Sequence, residues 1–232
     1  MSVRAPIAVA LDAPDLATAC RWAGEVEPIV STLKVGLELF YAIGIDGLRL
    51  VRQTAPTCSL FLDVKLHDIP TTVRGAAQVI SAARADIVTV HALGGPSMIA
   101  AAREALPEAD IAAVTVLTSM TADDLAKVGV SGAPLAAVLQ LARMAVDAGA
   151  QALVCSPREV AQVREAVGPD VRLITPGVRP VGASAGDQQR VATPAQALAD
   201  GADLLVIGRP ITASAQPAVA AAEIAADIAA SG

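Results

Sequence analysis

Phe61-Leu62-Asp63-Val64-Lys65-Leu66-His67-Asp68-Ile69-Pro70-Thr71-Thr72 begins as an apolar strand and ends in charges of alternating sign. Alternation along a strand sends Asp63 and Lys65 to the same face, and Asp68 falls just beyond the strand, where Pro70 ends regular pairing. A run this apolar suits burial on both faces, as a parallel sheet requires, with its polar groups gathered at one end. The structural alternative is an ion-pair network that only holds the strand end together. Such networks are weak sources of stability, and breaking one costs roughly 3 to 5 kcal/mol. An active site is the better account of a cation set between two acids.

The same pattern recurs outward along the chain. Apolar, β-branched runs lie near Ile7 to Leu11, Thr32 to Leu37, Ser59 to Val64, Ile87 to Val90, Ile111 to Leu117, Ala152 to Cys155, Arg172 to Thr175 and Leu204 to Ile207, each followed by an Ala-rich or Leu-rich segment of helical spacing. Eight βα units predict an α/β fold, an eight-stranded parallel β/α (TIM) barrel, with an open doubly wound sheet as the alternative. Asp15, Ser97, Thr121, Ser156 and Thr193 stand where helices begin, and Gly149, Gly168 and Gly201 where they end. The chain has 232 residues, 54% hydrophobic and 17% charged, with no linker or low-complexity tract. One barrel domain over residues 1–232 is expected.

Charge and cysteines narrow the function. A net charge of -6 argues against a nucleic-acid surface, which needs clustered cations. Cys20, Cys58 and Cys155 form no C-x-x-C pair, so neither a disulfide framework nor a zinc site is suggested, and a reduced cytoplasmic setting fits. The start of the chain lacks a basic-then-apolar signal pattern. The Ala-rich tail is broken by Pro217, Glu223 and Asp227, so no membrane span is expected.

Aligned as barrel strands, the runs place polar residues at their C-terminal ends: Asp12, Lys34, Asp63 with Lys65, His91, Thr118 with Ser119, Gly177 with Arg179, and Gly208 with Arg209. Catalytic groups occupy that face of β/α barrels, and phosphate commonly binds after the seventh and eighth strands. Arg179, Gln188, Gly208 and Arg209 are then phosphate candidates. Gly208 permits close backbone approach, and Arg209 offers a bidentate clamp, although Val206-Ile207-Gly208-Arg209-Pro210 also reads as a strand and turn with a solvated Arg. The Gly- and Pro-rich stretch 176–190 is a lid or binding loop, with a surface excursion as the alternative.

Asp12 and Lys34 form either a simple salt bridge or, beside Asp63, a hydroxyl-binding pair. Thr118 and Ser119 either cap the next helix or hydrogen-bond an imide or carbonyl edge. A positioned ammonium at Lys65 can donate a proton to a developing carbanion. His67 points away from the Asp63 and Lys65 face by alternation, which favours a structural or solvent-facing role over metal ligation. His91 stays open between roles, with no second ligand signature near it. Trp22, Phe40 and Tyr41 are expected to pack helices and the outside of the barrel.

Taken together, Leu11-Asp12, Leu33-Lys34-Val35-Gly36, the 61–72 stretch, Val116-Leu117-Thr118-Ser119-Met120, Thr175-Pro176-Gly177-Val178-Arg179-Pro180, Gly186-Asp187-Gln188 and Val206-Ile207-Gly208-Arg209-Pro210 resemble the orotidine 5'-monophosphate decarboxylase family over almost the whole chain. The resemblance implies a cofactor-free, metal-free homodimer of barrels that converts orotidine 5'-monophosphate to uridine 5'-monophosphate and carbon dioxide. It implies that Lys65 is the proton donor, that Asp63 lies beside the substrate carboxylate, and that Asp68 with Thr72 reaches across from the partner subunit. Asp12 and Lys34 would bind ribose hydroxyls, Thr118 and Ser119 the pyrimidine edge, and Gln188, Gly208 and Arg209 the phosphate, with Arg179 in the closing loop.

A sugar-phosphate lyase of the same superfamily shares the Asp-x-Lys-x-x-Asp core but uses magnesium and an enediolate. His67-Asp68-Ile69-Pro70 and Leu117-Thr118-Ser119 favour the nucleotide enzyme. A nonenzymatic nucleotide-binding barrel is the rival from another class, and intact Asp63, Lys65 and Asp68 argue against it.

Overall fold

The computed structural model describes residues 4–130, 132–179 and 192–231. Eight parallel strands close into a barrel in chain order: β1 (Ala5–Ala10), β2 (Val30–Gly36), β3 (Ser59–Leu66), β4 (Ile87–His91), β5 (Asp110–Val114), β6 (Ala152–Val154), β7 (Arg172–Thr175) and β8 (Leu204–Ile207). The pairing of β1 with β8 closes the ring and excludes the open sheet. The strand read near Ile111 to Leu117 stops at Val114, because the chain there turns away before Thr118.

Helices follow the strands around the outside: α1 (Leu16–Val26), α2 (Leu37–Thr54), α3 (Pro70–Ser81), α4 (Pro96–Ala105), α5 (Ala122–Lys127), α6 (Pro134–Asp147), α7 (Val160–Val167), α8 (Pro194–Ala199), α9 (Arg209–Thr212) and α10 (Pro217–Ala230). Asp15, Thr121 and Thr193 cap α1, α5 and α8 with side-chain oxygens, and Thr121 forms a full capping box with Asp124. Ser97 and Ser156 do not cap. Gly95 precedes Pro96 at the start of α4, and Glu159 precedes α7 while its own carboxylate accepts the Ser156 N–H at 3.2 Å. Gly149, Gly168 and Gly201 adopt φ of 98°, 80° and 106° just past helix ends, a region that only glycine enters cheaply.

Two apolar layers result. Strand faces turned outward pack with the helices, whereas Ala8, Phe61, Ile87, Ala112, Ala152, Ile174 and Leu204 fill the barrel interior. Phe61 fits there because its neighbours in that layer include three alanines, so one large ring is matched by small side chains. Trp22 and Phe40 pack against the outer layer as expected, but Tyr41 is 81% exposed on α2. Its ring meets that of Phe40 at 6.0 Å between centroids and otherwise lies in water.

At the strands' N-terminal end, polar side chains serve the fold. Asp86, just before β4, accepts the Leu60 N–H of β3 at 2.7 Å. Gln151, before β6, accepts the Ile111 N–H of β5 at 3.1 Å, and Asp203, before β8, accepts the Leu173 N–H of β7 at 2.7 Å. Each satisfies a strand's first donor that has no ladder partner. Asp86 also pairs with Arg52 at 2.7 Å. Asp86→Ala is therefore expected to lower stability by roughly 1 to 3 kcal/mol, the cost of an unsatisfied buried donor. Chemical denaturation checks this, and an unchanged midpoint would contradict it.

Candidate active site

The opposite end of the barrel holds the other group of charges. Inward positions on the first three strands are two residues apart, so Ala8, Ala10 and Asp12, then Thr32 and Lys34, then Phe61 and Asp63 climb from the core to the mouth. Register aligns them, with Ala10 opposite Lys34 and Gly36 opposite Asp63. A Cβ at Gly36 would lie 3.1 Å from both Asp12 Oδ1 and Lys34 Nζ, so the glycine leaves room for the two heads.

The result is a chain of alternating charges. Lys34 Nζ lies 3.7 Å from Asp12 Oδ1 and 3.4 Å from Asp63 Oδ2, and Lys65 Nζ donates to Asp63 Oδ1 at 2.7 Å. Lys34 and Asp63 are largely buried, and Asp12 and Lys65 open toward solvent. Burial is the largest single influence on Asp63 and pushes its carboxyl up. Lys34, then Lys65, with hydrogen bonds from Lys65 and Thr89, more than offset it and hold the group below the ordinary carboxylate value.

Asp63 and Lys65 meet, but not by simple alternation. The β3–β4 register shifts between Leu62 and Leu66, and Lys65 sits at φ 48°, in the left-handed region. For a residue with a side chain that conformation costs on the order of 1 to 3 kcal/mol, which the surroundings must hold in place. The Lys65 N–H donates to Thr89 Oγ1 at 2.8 Å, and Thr89 Oγ1 donates to Asp63 Oδ1 at 3.1 Å. Thr89 was not singled out in the sequence. Its signal was a hydroxyl in the middle of the otherwise apolar Ile87 to Val90 run, where a buried polar atom must find a partner.

Asp12, Lys34, Asp63 and Lys65 line one wall of a cavity of about 470 Å³. Gly208 and Arg209 line it beside β1, Arg179 lines it after β7, Thr118 stands on the rim after β5 and Phe61 at the base. Among the described residues, four cations (Lys34, Lys65, Arg179, Arg209) against two anions (Asp12, Asp63) make the cavity net positive in a protein of net charge -6. A concave site of that sign concentrates anions. Its remaining wall is apolar, including Val114, Val154 and Val206. Cys155 also contributes, unforeseen as a lining residue. Burial pushes its thiol up to about 12, which leaves it a small apolar group rather than a nucleophile.

Other expected residues lie elsewhere within the single chain. Asp68 does not join the ion chain. Its Oδ1 accepts the neighbouring Ile69 N–H at 2.6 Å, and it borders a shallow groove with His67, Ile69, Pro70 and Leu93. Thr72 is exposed on the first turn of α3, and Ser119 is exposed beyond the cavity rim. His67 stacks on His91 with centroids 5.1 Å apart, away from the cavity. Burial first, then His67 and Lys65, hold His91 below the ordinary imidazole value, and its Nδ1 accepts the Leu93 N–H at 3.3 Å. Gln188 and the 176–190 loop beyond Arg179 lie outside the described residues. Among the described residues no group of three His, Cys, Asp or Glu side chains is placed to hold a metal ion, and no helix is long and apolar enough to cross a membrane.

Comparison with known proteins agrees with this geometry. The family profile described as "Orotidine 5'-phosphate decarboxylase / HUMPS family" matches residues 5–224. The orotidine 5'-phosphate decarboxylase of Thermobifida fusca (strain YX) is 60% identical over 227 residues, covering 97% of this chain and 96% of that one. The enzyme of that name from Anaeromyxobacter sp. (strain K) is 53% identical over 223 residues, covering 96% and 97%. The crystal structure of orotidine 5'-phosphate decarboxylase from Lactobacillus acidophilus superimposes with a TM-score of 0.84 at 34% identity, covering 97% of this chain and 99% of that one. With its barrel, its charged mouth and relatives of this likeness over nearly its full length, the chain belongs to the orotidine 5'-phosphate decarboxylase / HUMPS family as one of its carboxy-lyases.

Proposed function

We propose that this chain decarboxylates orotidine 5'-monophosphate to uridine 5'-monophosphate and carbon dioxide, the last step of de novo pyrimidine nucleotide synthesis, with Lys65 as proton donor and without metal or cofactor. The observation that carries the reading is Lys65 Nζ held 2.7 Å from a buried, ionised Asp63 inside a net-positive cavity. Such a cavity suits a substrate bearing both a phosphate and a carboxylate.

In this mechanism Arg209, the Gly208 backbone and Gln188 hold the phosphate, with Arg179 lining the same cavity. Asp12 and Lys34 bind ribose hydroxyls, and Thr118 and Ser119 bind the pyrimidine edge. The bond from C6 to the carboxylate breaks, its electron pair stays on C6, and carbon dioxide leaves. Lys65 then gives a proton to C6 and regains one from solvent, so charge balances. Positioned proton transfer contributes typically about 10² to 10⁴-fold. Enzymatic reactions need barrier reductions of roughly 8 to 23 kcal/mol. The remainder falls to the fixed ion chain, which stabilises negative charge at C6 as it develops, and to the binding energy of the phosphate.

We also infer a homodimer with shared sites, acting in the cytoplasm, with no nucleic-acid or membrane partner. Asp68 and Thr72 do not line their own cavity, and Asp68 is flanked by Ile69, 66% exposed, and Leu93, 45% exposed. An apolar rim around an acid fits a face that meets a second copy, where Asp68 and Thr72 would complete the neighbour's site.

Three outcomes test this. Spectrophotometric turnover of orotidine 5'-monophosphate should be unchanged by EDTA, whereas activity lost in chelator and restored by magnesium would favour the sugar-phosphate lyase reading. Lys65→Ala should fold and bind uridine 5'-monophosphate yet lose turnover by at least about 10²-fold, and near-normal turnover would remove Lys65 from the chemistry. Mixing inactive Asp68→Asn and Lys65→Ala subunits should restore part of the activity, because one hybrid site holds both original groups. No recovery in demonstrably mixed dimers would argue against shared sites.

A further inference from the structure

Three residues of β3, Asp63, Val64 and Lys65, lie between the Leu62–Val88 and Leu66–Val90 pairs, and only Thr89 of β4 lies between the same two pairs. Two extra residues in one strand leave backbone donors without ladder partners. At this place the missing partner for the Lys65 N–H is the Thr89 hydroxyl, at 2.8 Å. The hydroxyl has one proton, and it goes to Asp63 Oδ1 at 3.1 Å. Thr89 is fully buried and is not among the residues lining the cavity.

We infer that Thr89 is a positioning residue, whose single hydroxyl fixes both the left-handed backbone of Lys65 and the carboxylate of Asp63, and so aims the ammonium at the reacting carbon. The inference rests on the reading of Lys65 as proton donor. The oxygen accepts from one member of the Asp63–Lys65 pair and donates to the other, so it sets the two relative to each other. Without it, Lys65 at φ 48° has no described hydrogen bond holding its N–H, and Asp63 keeps only its lysine contacts. A valine has the same shape and neither bond. Displacement of a catalytic group by about 1 Å can cost on the order of 10²-fold in rate. Thr89 is buried and does not line the cavity, so ground-state binding is expected to be independent of it.

The test is Thr89→Val and Thr89→Ser, each measured alone and in combination with Lys65→Ala. Thr89→Val is expected to lower kcat by about 10 to 100-fold with KM and the Kd for uridine 5'-monophosphate within about threefold. Thr89→Ser, which keeps the hydroxyl, is expected to hold kcat within about threefold of the parent. Added to Lys65→Ala, Thr89→Val should cost clearly less than it does alone, since one of the two groups it positions is already gone. Unchanged kcat in Thr89→Val beside an inactive Lys65→Ala would overturn the positioning role alone. Near-normal turnover in Lys65→Ala would overturn the underlying reading instead. If Thr89→Val does not fold, Thr89→Ser decides: a folded serine variant with a kcat loss of 10-fold or more overturns the role of the hydroxyl, and retained kcat supports it.

Discussion

Asp63 is a carboxylate placed almost out of reach of water, and the organisation of the barrel mouth follows from the need to keep it ionised. An isolated buried charge is neutralised rather than tolerated. Here a lysine on either side makes ionisation the favoured state, at 3.4 Å from β2 and 2.7 Å from β3 itself. The lysines constrain the backbone in turn. Lys34 must be in register beside Phe61, one inward step below Asp63, and position 36 must carry no side chain. Lys65 must leave the regular strand to bring its ammonium round to the carboxylate.

That arrangement is a poor investment for stability and a good one for catalysis. Buried ion pairs return little net folding energy, and a left-handed lysine adds cost. The fold offsets this elsewhere, in the two apolar layers and in the polar caps at the N-terminal strand ends, where Asp86, Gln151 and Asp203 close the backbone ladder. One end of the barrel therefore carries charges that hold strands together, and the other carries charges fixed before any substrate arrives. Fixed charges need no reorganisation as negative charge develops, which is the main source of electrostatic catalysis.

Much of this was legible in the sequence because barrel strands have a two-residue period and a common direction. Ile7 to Leu11 and its seven counterparts gave the strands to within a few residues, and their polar ends gave Asp12, Lys34, Asp63, Lys65, Thr118, Arg179, Gly208 and Arg209, all of which line one cavity. What the period could not show is where it breaks. Alternation put Asp63 and Lys65 on one face, but they meet through a bulge with Lys65 in the left-handed region, and that bulge and the threonine that replaces a ladder partner depend on contacts between β3 and β4. Cys155 was weighed only for redox chemistry, although its place at the end of β6 puts it in the cavity wall. Asp68 belongs to a different limit, since its place outside the cavity, accepting the Ile69 N–H, is set by the turn into α3 and not by strand spacing.

The central claim is that the Lys65 ammonium is aimed at the pyrimidine carbon that loses its carboxylate. A crystal structure with a uridine 5'-monophosphate analogue carrying a polar substituent at C6 tests it most directly. The account predicts Lys65 Nζ roughly 2.6 to 3.2 Å from that substituent, with Asp63 beside it and the phosphate on Arg209. A pyrimidine bound in the cavity with the Lys65 side chain turned outward, beyond contact with C6, would contradict it.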